Sequence, residues 1–184
     1  LNITGDTTTA MAVNGTVSVN ADTGARVVTT QSEALFIGVT VDGDDQFDQT
    51  AQSQPPDNGP EAFEMINVHI PRELPHLYTE CANIWNPIHT ERAAALAAGL
   101  PDIILHGTAT WALAGQQIAA SYGDGDAGRL RRLAGEFSAV VIPGTDIVIE
   151  HARDNADTNT VRFVVRNHEG AVAIRNGVAE LRSD

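Results

Sequence analysis

The chain has 184 residues, 42% of them hydrophobic, which is enough for one large globular domain and part of another. Its 24 acidic residues face 11 basic ones, all arginine, and the formal net charge of −13 argues against a nucleic-acid partner. No apolar run is long enough to cross a membrane, and the single cysteine, Cys81, excludes an intrachain disulfide and favours a reducing cytoplasm. An acidic excess without lysine further predicts a halophilic source.

Residues 14–41 predict β structure, in two runs on either side of the turn NADTG. The stretch that follows is acidic and rich in Pro, Gly and Gln, so residues 46–60 predict a linker or a long surface loop. The expected organisation is therefore a β-hairpin extension over 1–45, a linker over 46–60 and a main domain over 61–184.

The main domain begins with an alternating strand, FEMINVHI, and two short helices, PRELPHLYTECA and TERAAALAAG. A longer helix, at about 109–122, is small and apolar on nearly every side, and this pattern predicts burial. Four β segments finish the chain, at 130–142, 145–153, 160–167 and 171–182. The order predicts an α+β fold in which an antiparallel sheet wraps around one buried helix.

Several short segments resemble cofactor-binding or metal-binding motifs, but their sequence context does not support those functions. GDGDAG at 123–128 matches a dinucleotide-binding pattern, but it follows a helix and its two aspartates would repel a pyrophosphate. DGDD at 42–45 lacks the ligand and the glycine that a calcium loop needs next. No histidine pair has zinc-binding spacing, and no nucleophile elbow is present. We therefore expect no metal and no bound cofactor.

Two histidines stand in informative surroundings. His89 follows Asn86-Pro87, a turn that would aim its side chain, and His106 precedes Gly107 at the start of the buried helix. A backbone N–H at a helix start favours developing negative charge, and an imidazole can transfer protons near neutral pH. Together they suit proton transfer beside a thioester carbonyl. The alternative is that each histidine only packs within a turn or core.

The segment NPIHTERAAALAAGLPDIILHGTATWALA, with Tyr78 and Cys81 before it and LAGEFSAVVIPGTDIVIE after it, resembles the MaoC-like, or hydratase-2, family of (R)-specific enoyl-CoA hydratases. The resemblance covers about residues 63–182. It implies a hotdog fold, water addition to a trans-2-enoyl-CoA thioester or the reverse, coenzyme A only as part of the substrate, and a homodimer or larger assembly. Residues 1–45 would be a remnant of a second hotdog half or an appended edge.

The same resemblance implies roles for single residues. His89 would be the acid and base, and the Gly107 N–H would polarise the thioester carbonyl. Substrate-binding roles would fall to Trp85, Asn86 and His106.

The sequence departs from the family pattern at one catalytic position. The family's aspartate stands five residues before the histidine, where this chain has Ile84; counting from Tyr78 instead reaches Asn83. Asn83 can orient a water but has no ionisable proton, so we expect it to hold the water beside His89. Glu80 or Glu91 are substitutes, although a solvated surface charge explains each of them better. The departure keeps open a non-catalytic acyl-CoA-binding subunit, and the fold alone also allows a thioesterase.

The densest basic patch is RLRR, with Arg129, Arg131 and Arg132. In an acidic chain such a patch would suit the phosphates of coenzyme A, so these arginines are candidate substrate-binding residues. The alternative is an ordinary exposed strand face.

Overall fold

The computed structural model describes residues 2–3, 9–37 and 63–182, and the chain forms two compact units, Leu1–Pro55 and Pro56–Asp184. The first unit is an antiparallel sheet of β1 (Asn2–Ile3), β2 (Thr9–Val19) and β3 (Arg26–Ile37), in that order. The turn between β2 and β3 is closed by the Asn20 side chain, which accepts the backbone N–H groups of Asp22 and Thr23. The expected linker at 46–60 lies outside the described residues, and the three-part division of the chain stays a prediction.

Within residues 63–182, the second unit holds three α-helices and five strands. The helices are α1 (Leu74–Ala82), α2 (Arg92–Ala97) and α3 (Gly107–Tyr122), and a 3₁₀ turn, Pro87–His89, lies between α1 and α2. The strands are β4 (Glu64–His69), β5 (Leu130–Phe137), β6 (Asp146–Arg153), β7 (Thr160–Arg166) and β8 (Val172–Leu181). They form one antiparallel sheet in the order β4-β6-β7-β8-β5, which leaves β4 and β5 at its edges.

Helix α3 packs against the sheet because its residues are small and apolar. Ala114 and Ile118 are fully buried, and a Cβ added at Gly115 would lie 2.9 Å from the side chain of Leu133 on β5. The sheet supplies much of the remaining core, and Ile70, Leu105 and Val141 add to it from segments outside the strands. The inward-facing strand residues include Ile147, Ile149, Val161, Phe163, Val165 and Ile174. The predicted α+β arrangement is confirmed, and the helix begins two residues earlier than the sequence indicated.

The expected strand 130–142 is wrong in its last five residues, because β5 ends at Phe137. Beyond it the Ser138 N–H still donates to the Ala173 carbonyl of β8 at 2.9 Å, but the carbonyls that follow bond outside the sheet. The Val140 carbonyl accepts the Asn167 side-chain amide at 2.9 Å, and the Val141 carbonyl accepts the Leu105 N–H at 2.8 Å. The segment 138–142 therefore runs beside the residues that precede α3. Within the described part of the chain, no helix is long and apolar enough to span a membrane.

Candidate active site

His89 is held by the turn that carries it. Asn86 is extended and its side-chain oxygen accepts the Ile88 N–H at 3.3 Å, while Pro87 opens the 3₁₀ turn. The His89 ring is 9% exposed, and its Nδ1 lies 2.8 Å from the backbone carbonyl of Ile104. With Nδ1 occupied in this way, Nε2 is the ring nitrogen left for a ligand.

His106 lies directly behind His89. The two rings are stacked, with centroids 3.7 Å apart and planes 21° from parallel. The Nε2 of His106 lies 3.2 Å from the Thr79 hydroxyl and 3.4 Å from the Ile84 carbonyl, whereas its buried Nδ1 has no partner among the described residues. Burial lowers the pKa of His106 below 6.5, the charge of His89 lowers it further, and the hydrogen bond to Ile84 opposes both.

Gly107 is the first residue of α3, and no side chain caps this helix start within the part that the structure describes. The first N–H groups of a helix lack partners inside the helix and carry a partial positive charge. A Cβ at Gly107 would lie 3.1 Å from the Phe137 ring, so the ring packs against the helix start. Glycine is therefore the residue that fits without displacing Phe137.

His89 and Gly107 meet at a cavity of about 260 Å³. Most of its wall is apolar, and the Thr110 and Ser138 hydroxyls add polar groups. The lining residues are His89, Ile104, Leu105, Gly107, Thr110, Phe137, Ser138, Ala139, Val140, Val141, Ala173 and Ile174. His89 is the titratable side chain of this set, and none of these lining residues carries a carboxylate. The arrangement offers one acid–base group and one helix-start amide in a largely apolar space.

The structure thus brings together three of the predicted site residues: His89, His106 and Gly107. His106 supports His89 from behind and is not among the residues that line the cavity. Asn86 is not among them either and shapes the turn instead.

The other predicted residues around the turn lie away from the cavity lining. Asn83 ends α1 with a left-handed backbone (φ 58°), and its side-chain oxygen accepts the indole N–H of Trp85 at 3.1 Å. Trp85 is 66% exposed and Ile84 40% exposed. Glu80 and Glu91 are also exposed, and none of the five is among the lining residues.

The three arginines are likewise absent from the cavity wall, and two of them form ion pairs. Arg129 lies 2.5 Å from Asp124, and Arg132 lies 3.0 Å from Glu180 on β8. Arg131 is exposed. The role of the three in binding coenzyme A stays a prediction.

His89 and Gly107 are the predicted site residues among the cavity lining, and the lining residues that the sequence analysis missed include Thr110, Phe137 and Ser138. Thr110 follows Gly107 by three positions on one helix, so helical spacing alone places the two on the same side. Phe137 and Ser138 have no such signal, because only the packing of β5 against the start of α3 brings them to the site.

The model of the MaoC-like domain matches residues 60–173. The chain belongs to the MaoC-like family. It is 27% identical over 178 residues to the peroxisomal hydratase-dehydrogenase-epimerase of Neurospora crassa, which covers 94% of the chain and 19% of that protein. It is 28% identical over 154 residues to the 3-hydroxyacyl-thioester dehydratase Y of Mycobacterium tuberculosis, with coverage of 83% and 52%. The chain thus spans between about a fifth and a half of these two relatives.

Among solved structures, the full-length peroxisomal multifunctional enzyme type 2 of Drosophila melanogaster superposes with a TM-score of 0.82. The identity is 22%, and the match covers 99% of this chain and 32% of that one. The hotdog fold implied by the resemblance is confirmed.

Proposed function

We propose that this MaoC-like chain adds water to a trans-2-enoyl-CoA thioester, or removes it from a 3-hydroxyacyl-CoA. The observation that carries the proposal is the presence of the His89 imidazole and the Gly107 helix start at one apolar cavity. The names of the relatives, a hydratase and a 3-hydroxyacyl-thioester dehydratase, support the same reaction class.

The residues present suffice for a balanced reaction. His89 Nε2 accepts a proton from water while the hydroxyl oxygen bonds to Cβ of the enoyl group. The electron pair of the double bond moves towards the thioester oxygen, which accepts the Gly107 N–H. Protonated His89 then returns the proton to Cα, so the product has gained one water. Because no carboxylate lies in the described cavity lining, His89 serves both proton transfers.

The test follows the loss of enoyl-thioester absorbance with His89→Gln, and with His168→Gln as a control at an exposed histidine outside this cavity. We expect His89→Gln to lower kcat by about 10²–10⁴-fold, the contribution of one general acid–base group. Wild-type turnover in that variant rejects the proposal. Release of free coenzyme A in place of hydration would instead indicate a thioesterase.

The carboxylate-free lining also favours a second candidate, a non-catalytic subunit that binds acyl-CoA beside an active partner. The same substrates separate the two candidates. Calorimetric binding of an enoyl-CoA without turnover, and turnover only after an active MaoC-like protein is added, would support the subunit role. Turnover by the purified chain alone contradicts it.

We further propose that the chain works as a homodimer. Strand β5 is an edge of its sheet, and an exposed edge offers backbone groups to another strand. Phe137, at the end of β5, is 55% exposed and also lines the cavity, so a second copy added at this edge would lie close to the site. Light scattering after gel filtration measures the mass, and a monomer at micromolar concentration contradicts this proposal.

The arginine patch supports a proposed contact with coenzyme A phosphates. Replacing Arg129, Arg131 and Arg132 by glutamate should raise KM for a CoA thioester while leaving KM for a pantetheine thioester, which lacks the adenosine phosphates, unchanged. An equal KM for the CoA thioester in wild type and variant would contradict the proposed contact between the arginines and coenzyme A.

We also propose that the acidic, lysine-free composition suits a cytoplasm rich in salt. With a net charge of −13, the acidic side chains repel one another at low ionic strength, and salt screens this repulsion at high ionic strength. The urea midpoint should therefore rise from dilute buffer to molar KCl. Equal midpoints in the two buffers would remove the argument for a halophilic source.

A further inference from the structure

The hydrogen bonds at the site fix where each histidine carries its proton. A backbone carbonyl only accepts, so the contact between His89 Nδ1 and the Ile104 carbonyl places the proton of the neutral ring on Nδ1. Nε2 is then a free base. In His106 the carbonyl of Ile84 and the hydroxyl of Thr79 both lie near Nε2, which places the proton there and leaves Nδ1 bare.

The two rings share one face. At 3.7 Å between centroids, a charge on one ring opposes a charge on the other, so the stack holds one proton more readily than two. His106 is the worse place for that proton because a protonated Nδ1–H would be buried without an acceptor among the described residues. Tyr78 on α1 also contacts the His106 ring, with centroids 5.0 Å apart. His106 therefore remains neutral while His89 gains and loses its proton.

A base that receives and returns a proton must keep its orientation through both steps. The family pattern has a catalytic aspartate as well as the histidine. The described lining of this cavity contains no carboxylate. Among the described residues, the His89 ring makes one hydrogen bond, at Nδ1, and one stacking contact, with His106.

We propose that His106 is the positioning residue for His89: its neutral ring, held at Nε2 by Thr79 and Ile84, fixes the plane in which His89 presents Nε2 to the cavity. The inference rests on the proposed function, since His89 must be the acid and base for its orientation to affect turnover.

Two variants separate the ring face from the hydrogen bond. His106→Phe keeps a flat ring and loses the donor, whereas His106→Gln keeps an amide donor and loses the ring. We expect His106→Gln to lower kcat by about 10²-fold with KM little changed, since a misplaced catalytic group costs about this much. His106→Phe loses the Nε2 contacts with Thr79 and Ile84 but keeps the stacked face, so it should lower kcat by a clearly smaller factor than His106→Gln does. A wild-type kcat in His106→Gln overturns the proposal, and so does an equal loss of kcat in both variants.

Side-chain ¹⁵N–¹H NMR of the free protein tests the stack without any substrate. We expect Nδ1–H on His89 and Nε2–H on His106 in the wild-type protein, and one sharp His89 signal that persists in His106→Phe and broadens or splits in His106→Gln. The opposite tautomer at either ring, or a His89 signal indifferent to His106→Gln, overturns the proposal. If no enoyl-CoA is turned over, the proposed function fails while these signals still decide whether His106 orients His89. The wild-type tautomers also remain decisive if a variant does not fold.

Discussion

Replacing Gly107 by alanine tests the helix start directly. The new methyl group would lie 3.1–3.2 Å from three atoms of the Phe137 ring, closer than ordinary van der Waals contact. Phe137 is 55% exposed, so its ring can shift outward by a few tenths of an ångström. The change therefore narrows the space in front of the Gly107 N–H, where the proposed function places the thioester oxygen, and leaves the core of the sheet untouched.

The effects on catalysis and on stability should differ in size. Alanine keeps the backbone N–H, so the new methyl group acts by blocking access to it; a fully blocked oxyanion donor lowers kcat as much as a lost one, by about 10²–10³-fold, or about 3–4 kcal/mol of transition-state stabilisation. Alanine in place of glycine favours a helix by up to about 1 kcal/mol, and the tight contact with Phe137 offsets part of that gain. The free energy of unfolding should thus change by about 1 kcal/mol or less.

The assay combines hydration kinetics on a short enoyl-CoA with urea denaturation of the same preparation. Adding Phe137→Leu to Gly107→Ala leaves more room for the methyl group, and we expect about a tenfold recovery of kcat. A Gly107→Ala protein with wild-type kcat would refute the assignment of the oxyanion donor. A loss of stability that matches the loss of activity would show that the helix start, and not the amide, was damaged.

Three further predictions concern other sites. Asp154 is 7% exposed, and its carboxylate accepts the Arg162 guanidinium at 2.5 Å and the Ala156 N–H. Asp154→Asn should therefore lower the free energy of unfolding, measured in urea, by about 3 kcal/mol. Asp157→Asn, at an exposed residue, is the control, and equal urea midpoints for wild type and Asp154→Asn would contradict the prediction. Burial lowers the pKa of His151 below 6.5, and the negative charge of Glu64 partly opposes this shift. As the pH falls, His151 therefore binds a proton in the unfolded chain before it does so in the folded one. Urea midpoints should therefore fall as pH drops below about 6.5, and a flat profile down to pH 5 would contradict this. Ile84→Asp should raise kcat by about tenfold or more if the family's carboxylate position is retained, and an unchanged kcat would place that position elsewhere.

The main elements followed from residue patterns because local chemistry determines them. The small apolar residues of α3 indicated a buried helix; the helix packs on the sheet with one side, while Ala112, Gln116 and Ala120 are exposed on the other. The alternating residues of β6 and β7 could face a core in only one register. The end of β5 could not be read in the same way. Residues 138–142 are as apolar as a strand, yet the Val140 and Val141 carbonyls are taken by Asn167 and Leu105, which are distant in sequence.

The site was predictable where its chemistry lies on short segments. Asn86-Pro87 ahead of His89, and His106 ahead of Gly107, are each visible as neighbours in the chain. Their stacking is not visible, because 17 positions separate the two histidines and only the fold places their rings 3.7 Å apart. The sequence suggested a substrate-binding role for His106, which stays a prediction, and the structure stacks its ring on the ring of His89.

Ile84, one of the two candidates for the family's aspartate position, contributes to this site through its backbone. Ile84 cannot exchange a proton, but its carbonyl lies 3.4 Å from His106 Nε2, and the His106 ring in turn supports His89. Any residue at position 84 supplies that carbonyl, so the contact with His106 does not depend on the side chain there. The orientation of His89 and the presence of a second acid–base group are therefore separable in this chain. A substitution at position 84 can introduce a second acid–base group without changing the orientation of His89. A substitution at His106 changes that orientation without introducing an acid–base group.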